Sequence, residues 1–245
     1  MKRIAVFNLK GGVGKTTTVY NLAAVKAMQG KNVLMVDFDP SRSLTIACGM
    51  QATDYGACAV CGALVKTPPD ECCHTVDVSG LDNLYLLPGE RNLRNYSTKL
   101  KRTRLSEVLD SLEAYFDYCF IDCPPQESDL TKNVLQAAEQ VIIPCETTYL
   151  SYCGLLDVMA AIDEAKDSGN PTIRVKGVIA TLYDGRAKND REILEAMKED
   201  PSIFLVGVVK VSADADRLVH LGLPSVIGSK RSSVASTYRT IAETI

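Results

Sequence analysis

The 245-residue sequence has no long apolar run. Its hydrophobic stretches last about four to six residues, against the roughly 20 that a membrane-spanning helix requires, which excludes a helical span. A secretory leader is missing too: MKRIAVFNLKGG passes from two basic residues into a short strand-like run and then glycines, with no apolar block or small-residue cleavage site. A cytoplasmic protein is expected. Neither sign of charge is in excess. Lys+Arg 27 against Asp+Glu 30 leaves a net charge of −3, so no global positive field holds nucleic acid, and any such contact must come from a local patch. No internal repeat, low-complexity tract or Pro/Ser-rich linker divides the chain. The first strand-like run begins at the fourth residue, which leaves no room for an appended N-terminal DNA-binding domain, so one domain over 1–245 is expected. The nine cysteines are odd in number and lack an export signal, so they read as free thiols rather than a disulfide framework. Cys48, Cys119, Cys123, Cys145 and Cys153 lie in or beside apolar runs and read as small hydrophobes.

What is present is enough apolar material, 46% against 23% charged, to build a large folded core. Short apolar runs recur at 4–7, 33–36, 84–87, 119–121, 141–143, 175–181 and 204–209. Helix-period segments alternate with them, among them 17–28, 105–115, 130–138, 155–166 and 191–198. Runs that are apolar throughout suit strands buried on both faces, and their alternation with helices suits a mostly parallel sheet covered on both sides. The expectation is a single doubly wound α/β domain.

Between the first strand and the first helix lies Lys10-Gly11-Gly12-Val13-Gly14-Lys15-Thr16-Thr17. Glycines let consecutive backbone N–H groups converge on phosphate oxygens, and the helix N-terminus adds positive potential. Lys15 can reach the β and γ phosphates, and the Thr16 hydroxyl suits Mg²⁺. Position 9 is Leu, not the first glycine of the general GxxxxGK[ST] pattern, and the loop instead fits KGGxGKT with an additional lysine, Lys10, at its start. Strand, loop and helix fall in the order that nucleotide binding requires.

Here the chain resembles the ParA/MinD family of deviant Walker A P-loop ATPases, and within it the short Soj-like partition proteins. The likeness runs nearly end to end. It rests on KGGVGKTTT, Asn21-Leu22-Ala23, Val36-Asp37-Phe38-Asp39-Pro40, Phe120-Ile121-Asp122-Cys123-Pro124-Pro125, Val141-Ile142-Ile143-Pro144, Leu182-Tyr183-Asp184-Gly185-Arg186, Gly222-Leu223-Pro224 and Tyr238-Arg239 in family order. The resemblance implies ATP and Mg²⁺ as ligands, hydrolysis to ADP and phosphate, and plasmid or chromosome segregation with a ParB-type centromere-binding partner.

Nucleotide hydrolysis needs acids at the C-terminal ends of neighbouring strands, and Asp37, Asp39 and Asp122 end two of the apolar runs. The resemblance implies that Asp122 is the Walker B acid holding Mg²⁺ through water, that Asp37 is a second metal-shell acid, and that Asp39 orients the attacking water. It also implies that Lys10 reaches the nucleotide of a second copy, giving an ATP-dependent sandwich dimer that hydrolysis loosens. One departure lies beside these acids: Ser41 follows Asp39-Pro40 where the family usually has glutamine.

The DNA-facing half of the reading is thinner. Residues 91–104, RNLRNYSTKLKRTR, carry six basic side chains and no acid. Arg186, Lys210, Arg217, Lys230 and Arg231 are the further candidates for nonspecific DNA contact, which would make the ATP-bound form nucleoid-associated. The family commonly has a proline-arginine-asparagine turn before Gly222, whereas this chain has Lys210-Val211-Ser212 followed by Asp214 and Asp216, acids that oppose phosphate contact. The end of the chain carries no basic amphipathic extension able to lie on a membrane, which argues against MinD-type membrane cycling. Other readings remain: a ParA-like positioner of non-DNA cargo, a nucleotide-dependent regulator with little turnover, and, more remotely, an iron-sulfur reductase-type ATPase. Cys58, Cys61, Cys72, Cys73 and His74 have spacings able to hold zinc or an iron-sulfur cluster, although the Cys58/Cys61 pair also suits an inward-packed helix.

Overall fold

The computed structural model describes residues 1–50, 69–78, 80–96 and 100–245. An eight-stranded sheet carries the architecture. Its strands are β1 (Lys2–Val6), β2 (Val33–Asp37), β3 (His74–Thr75), β4 (Leu84–Leu87), β5 (Tyr118–Asp122), β6 (Gln140–Glu146), β7 (Arg174–Tyr183) and β8 (Leu205–Lys210). Their order is β3-β4-β2-β5-β1-β6-β7-β8, parallel throughout except for the two-residue edge strand β3.

The described helices are α1 (Lys15–Met28), α2 (Ser43–Ala47), α3 (Leu93–Tyr96), α4 (Arg104–Leu112), α5 (Asp129–Ala137), α6 (Tyr149–Cys153), α7 (Leu155–Asp167), α8 (Lys188–Glu199), α9 (Ala213–His220), α10 (Ser225–Gly228) and α11 (Ser233–Glu243). All seven strands expected from apolar runs form, with bounds within a few residues. The run at 84–87 coincides with β4.

Alternation along each strand divides the core in two. Ala5, Leu34, Val36, Ile121, Val141 and Ile143 pack with α4, α5, α7 and α8 on one face. Ile4, Val6, Val33, Met35, Phe120 and Ile142 pack with α1 and α11 on the other. Burial on both faces is why the central strands read as continuous apolar runs instead of alternating ones.

The chain winds from β1 toward one edge and, after β5, crosses to β6 on the other side of β1. The loop after β1 therefore lies where connections diverge at the C-terminal edge of the sheet, the place where doubly wound folds hold ligands.

Candidate nucleotide site

The loop from Lys10 to Gly14 is fixed at several points by its neighbours. The Lys10 N–H donates to Asn8 Oδ1 at 2.9 Å, and Asn8 Nδ2 donates to the Pro144 carbonyl at 2.8 Å, tying the loop's start to β6. Thr181 Oγ1 on β7 donates to the Val13 carbonyl at 2.8 Å. Gly12 (φ 77°) and Gly14 (φ 88°) adopt left-handed backbone, which a side chain would strain. Gly14 leads directly into α1, whose first turn holds no acid, so its unpaired N–H groups and dipole face the loop without a neutralising charge.

Parallel register sets the acids opposite one another. Asp37 at the end of β2 aligns with Asp122 at the end of β5, and Asp122 aligns with Val6, just before the loop. Thr16 Oγ1 donates to Asp122 Oδ2 at 2.6 Å. The other oxygen, Asp122 Oδ1, is buried with no hydrogen-bond partner among the described residues. An orphaned carboxylate oxygen beside a threonine hydroxyl is the donor set of a hard, oxygen-seeking cation such as Mg²⁺. The residues present therefore fit the metal that phosphate chemistry requires.

Burial, then the neighbouring Asp37 charge, push the Asp122 carboxyl well up, while Thr16 and Lys15 oppose the shift. Burial likewise raises Asp37, to about 6, against its hydrogen bonds from Thr45 and Asp39. Burial lowers Lys15, with the nearby Asp122 charge working in the other direction.

Lys15, 7% exposed, donates from Nζ to the Lys10 carbonyl at 2.9 Å across its own loop. A cleft of about 820 Å³ opens above it, lined by the loop glycines, Lys15, Thr16, Thr17, Asp39, Ser41 and the Pro124-Pro125-Gln126 turn after β5. The structure thus brings Gly11, Gly12, Gly14, Lys15, Thr16, Thr17 and Asp39 together on one cleft.

Asp37 is placed differently. Like Asp122 it is buried behind the cleft lining, but both of its oxygens are taken: Oδ2 accepts from Thr45 N at 2.8 Å and Thr45 Oγ1 at 2.7 Å, and Oδ1 accepts from Asp39 N at 3.3 Å. It ties α2, and with it the Asp39–Ser43 segment, to the sheet. Lys10 also leaves the cleft wall: its Nζ pairs with Glu146 at the end of β6 and donates to Ser151 Oγ in α6 at 2.7 Å. Neither Glu146 nor Ser151 lies in any of the sequence motifs above. Only tertiary structure brings them to Lys10.

The described members of the basic run at 91–104 face different neighbours. Residues 97–99 and the side chains of Asn95 and Tyr96 lie outside the described residues, Lys101 and Arg104 pair with Glu107, and Arg94 lines the nucleotide cleft. The sequence signal for Arg94 is positional: it follows β4, and the segment after a parallel strand belongs to the ligand-binding rim.

The other DNA candidates lie on the segments at and after the ends of β7 and β8. Lys210 ends β8, Arg217 lies in α9, Lys230 and Arg231 form the turn between α10 and α11, and Arg186 follows β7. All five are exposed. Arg186 pairs with Asp184 through Nε at 3.0 Å and Nη2 at 2.9 Å, and Arg217 with Asp214 at 3.6 Å. Asp216, the second acid expected to oppose phosphate, has a side chain outside the described set.

Cys58 and Cys61 lie outside the described residues, and among those described no group of three or more His, Cys, Asp or Glu side chains is arranged to hold a metal ion. Of the cysteines read as small hydrophobes, Cys48, Cys119, Cys123 and Cys145 are buried, whereas Cys153 is exposed. No helix among the described residues is long and apolar enough to cross a membrane.

A family profile described as an AAA domain matches residues 1–175. The chromosome-partitioning ATPase Soj of Thermus thermophilus is 39% identical over 188 residues, 76% of this chain and 71% of that protein. The chain belongs to the ParA/MinD family, on its Soj-like branch. The sporulation initiation inhibitor protein Soj of Bacillus subtilis is 30% identical over 251 residues, spanning all of this Soj-like chain and 98% of its own length. Among solved structures, cobyrinic acid a,c-diamide synthase from Mycobacterium smegmatis with bound ADP and magnesium superposes with a TM-score of 0.82 at 28% identity, covering 99% of this chain and 93% of that one. The parallel sheet flanked by helices is therefore a fold shared with those structures. The Lys10–Glu146 pair and Arg94 are features read from this chain.

Proposed function

We propose that the protein is a Mg²⁺-dependent ATPase that hydrolyses ATP to ADP and phosphate and uses the cycle to partition DNA. The observation that carries this reading is the Thr16–Asp122 pair with its orphaned Oδ1, set beneath a left-handed glycine loop at the N-terminus of α1. The relatives named for chromosome partitioning and the ADP and magnesium held by the M. smegmatis enzyme support the same ligands here. Mg²⁺, held by Thr16 and Asp122, would neutralise charge on the transferring phosphoryl group. Lys15 and the loop N–H groups bind and orient the phosphates, and Asp39, on the cleft wall, positions the water.

Assembly belongs to the same proposal. Two copies facing each other across ATP would exchange Lys10, which the isolated chain holds on Glu146 and Ser151. Beside that pair α6 exposes Tyr149 (64%) and Leu150 (79%), apolar surface suited to a second copy. A ParB-type partner stimulates turnover, and the cytoplasmic ATP-bound dimer holds nonspecific DNA through Arg186, Lys210, Arg217, Lys230 and Arg231. Equilibrium binding of ATP and ADP with Mg²⁺, followed by single-turnover hydrolysis, tests the chemistry; absence of nucleotide binding by the wild-type chain would overturn it.

A second reading, positioning of cargo other than DNA on the same ATPase cycle, is favoured by one observation. Arg186 and Arg217 are each already paired to an acid of this chain, which reduces the charge available to phosphate. Duplex binding that is equal with ATP and ADP, or absent at low salt, would select it.

A further inference from the structure

We infer that Arg94 contacts the terminal phosphate of the bound nucleotide, acting from the same chain as a second cation of the phosphate cleft. The inference deepens the ATPase reading and rests on it.

Placement comes from the sheet. β4 pairs in parallel with β2, with Leu87 opposite Val36, so the segments leaving both strands run side by side along the C-terminal edge. The β2 segment carries Asp39; the β4 segment carries Gly89, Glu90 and α3. They are joined where Gly89 N donates to Thr45 Oγ1 at 2.9 Å, the same hydroxyl that donates to Asp37. The fit is close: a Cβ on Gly89 would lie 2.8 Å from Asp37 Cγ. Leu93, wholly buried in the core, anchors the first turn of α3, and its N–H donates to the Glu90 carbonyl at 3.0 Å. The next residue, Arg94, is exposed and lines the cleft with Asp39, Ser41 and Gln126.

Charge then decides what Arg94 does there. Among the residues lining the cleft, the charged side chains are Lys15, Asp39 and Arg94, because Lys10 is held outside on Glu146. A nucleoside triphosphate carries about four negative charges, and one Mg²⁺ and one lysine leave it net negative while Asp39 adds to the deficit. A guanidinium keeps its charge at all accessible pH and matches the oxygens of a phosphate two at a time. It stands on the wall that carries Asp39, across from the loop and α1. From that side a guanidinium meets the oxygens of the terminal phosphoryl group as water attacks phosphorus, while the bond to the ADP oxygen breaks with its electron pair leaving on ADP, toward the loop and Lys15. A contact to the terminal phosphate, unlike one to the loop, is absent once the product is ADP.

The test compares wild type, Arg94→Ala and Arg94→Lys for ATP and ADP affinity, single-turnover hydrolysis and thermal midpoint. Expected for Arg94→Ala is an ATP affinity at least fivefold weaker, ADP affinity within twofold of wild type, hydrolysis at least tenfold slower and an unchanged midpoint. Arg94→Lys should recover part of the hydrolysis. Equal loss of ATP and ADP affinity, or wild-type hydrolysis by Arg94→Ala in a protein whose wild type binds and turns over ATP, would overturn the inference and leave the ATPase reading standing. An unchanged ATP-to-ADP ratio with weakened duplex binding would overturn it as well, returning Arg94 to the DNA-facing run. Failure of wild type itself to bind ATP would instead bring down the reading beneath it.

Discussion

The centre of the sheet and the exposed edge formed by the segments after β7 and β8 hold their charged groups by different means. At the centre, Asp122 is 1% exposed and Lys15 7%, and each is positioned by backbone register, a glycine loop and hydrogen bonds spanning more than 100 residues of sequence. At the edge, the Arg186 side chain is 92% exposed and its partner lies two residues away. Buried groups pay desolvation and need fixed partners, so their geometry is overdetermined. Exposed cations need only a shared surface, and a local acid can occupy them at little cost. Chemistry at the centre should therefore be brittle to substitution, and binding at the edge graded.

The sharpest test of brittleness is Lys15→Ala. Removing a charged donor from the phosphates forfeits a contact of about 1.5–3 kcal/mol or more, which predicts loss of nucleotide affinity on the order of 100-fold. Isothermal titration with ATP and ADP measures it. Asp39→Ala should separate binding from turnover, keeping ATP while single-turnover hydrolysis falls by about 100-fold, in the range of a lost water-positioning group. Normal hydrolysis by that variant would remove Asp39 from the reaction. Lys10→Ala should bind ATP through Lys15 and Thr16 yet remain monomeric by light scattering.

These residues are legible in the amino-acid sequence because each sits in a short contiguous motif whose function depends on local backbone: glycines that tolerate positive φ, a strand that ends in aspartate, a helix that begins at a lysine. The strands are legible for a related reason, since burial on both faces leaves an uninterrupted apolar run. What the sequence hides is anything set by tertiary pairing. Glu146 meets Lys10 across 136 residues, Arg94 reaches the cleft because β4 lies beside β2, and Asp37 is drawn to Thr45 by a helix of five residues too short to show a period. The two-residue strand β3 and short helices α2, α3 and α6 are hidden for that last reason too.

Proton linkage offers a milder test of the centre. Burial holds the Asp37 carboxyl at about 6, above its usual 3.8, and raises Asp122 as well. A carboxyl with a raised folded pKa gives stability that is fully present below about pH 4 and is lost as pH rises through about 6. Mg²⁺ needs the ionised form of Asp122, whose carboxyl burial raises, so metal loading should weaken on acidification and release protons. Calorimetry in buffers of different ionisation enthalpy reads that release, and a heat that does not change with the buffer would contradict it. Thr45→Val tests the same pair through its donor: the Asp37 oxygen loses both a hydroxyl donor and its orientation, which predicts a cost of about 1–3 kcal/mol in chemical denaturation.

The smallest effect is expected at the edge. Lys210, Lys230 and Arg231 carry no ion pair among the described residues, whereas Arg186 and Arg217 do. If the edge holds duplex DNA, affinity should fall log-linearly with salt, and one lost phosphate contact should lower the slope by about one while weakening binding uniformly across sequences. Arg231→Glu should therefore cost a several-fold loss of duplex affinity in ATP at low salt, with nucleotide affinity unchanged because the cleft lies at the centre of the sheet. Arg217→Ala should cost less, since Asp214 already shares its charge. Removing Asp214 by Asp214→Asn should act in the opposite direction and tighten binding, for it frees Arg217 and deletes a repulsive charge. A salt titration of the three variants orders them, and an Arg217→Ala loss larger than that of Arg231→Glu would show that ion pairing within the chain does not set which edge cations meet the duplex.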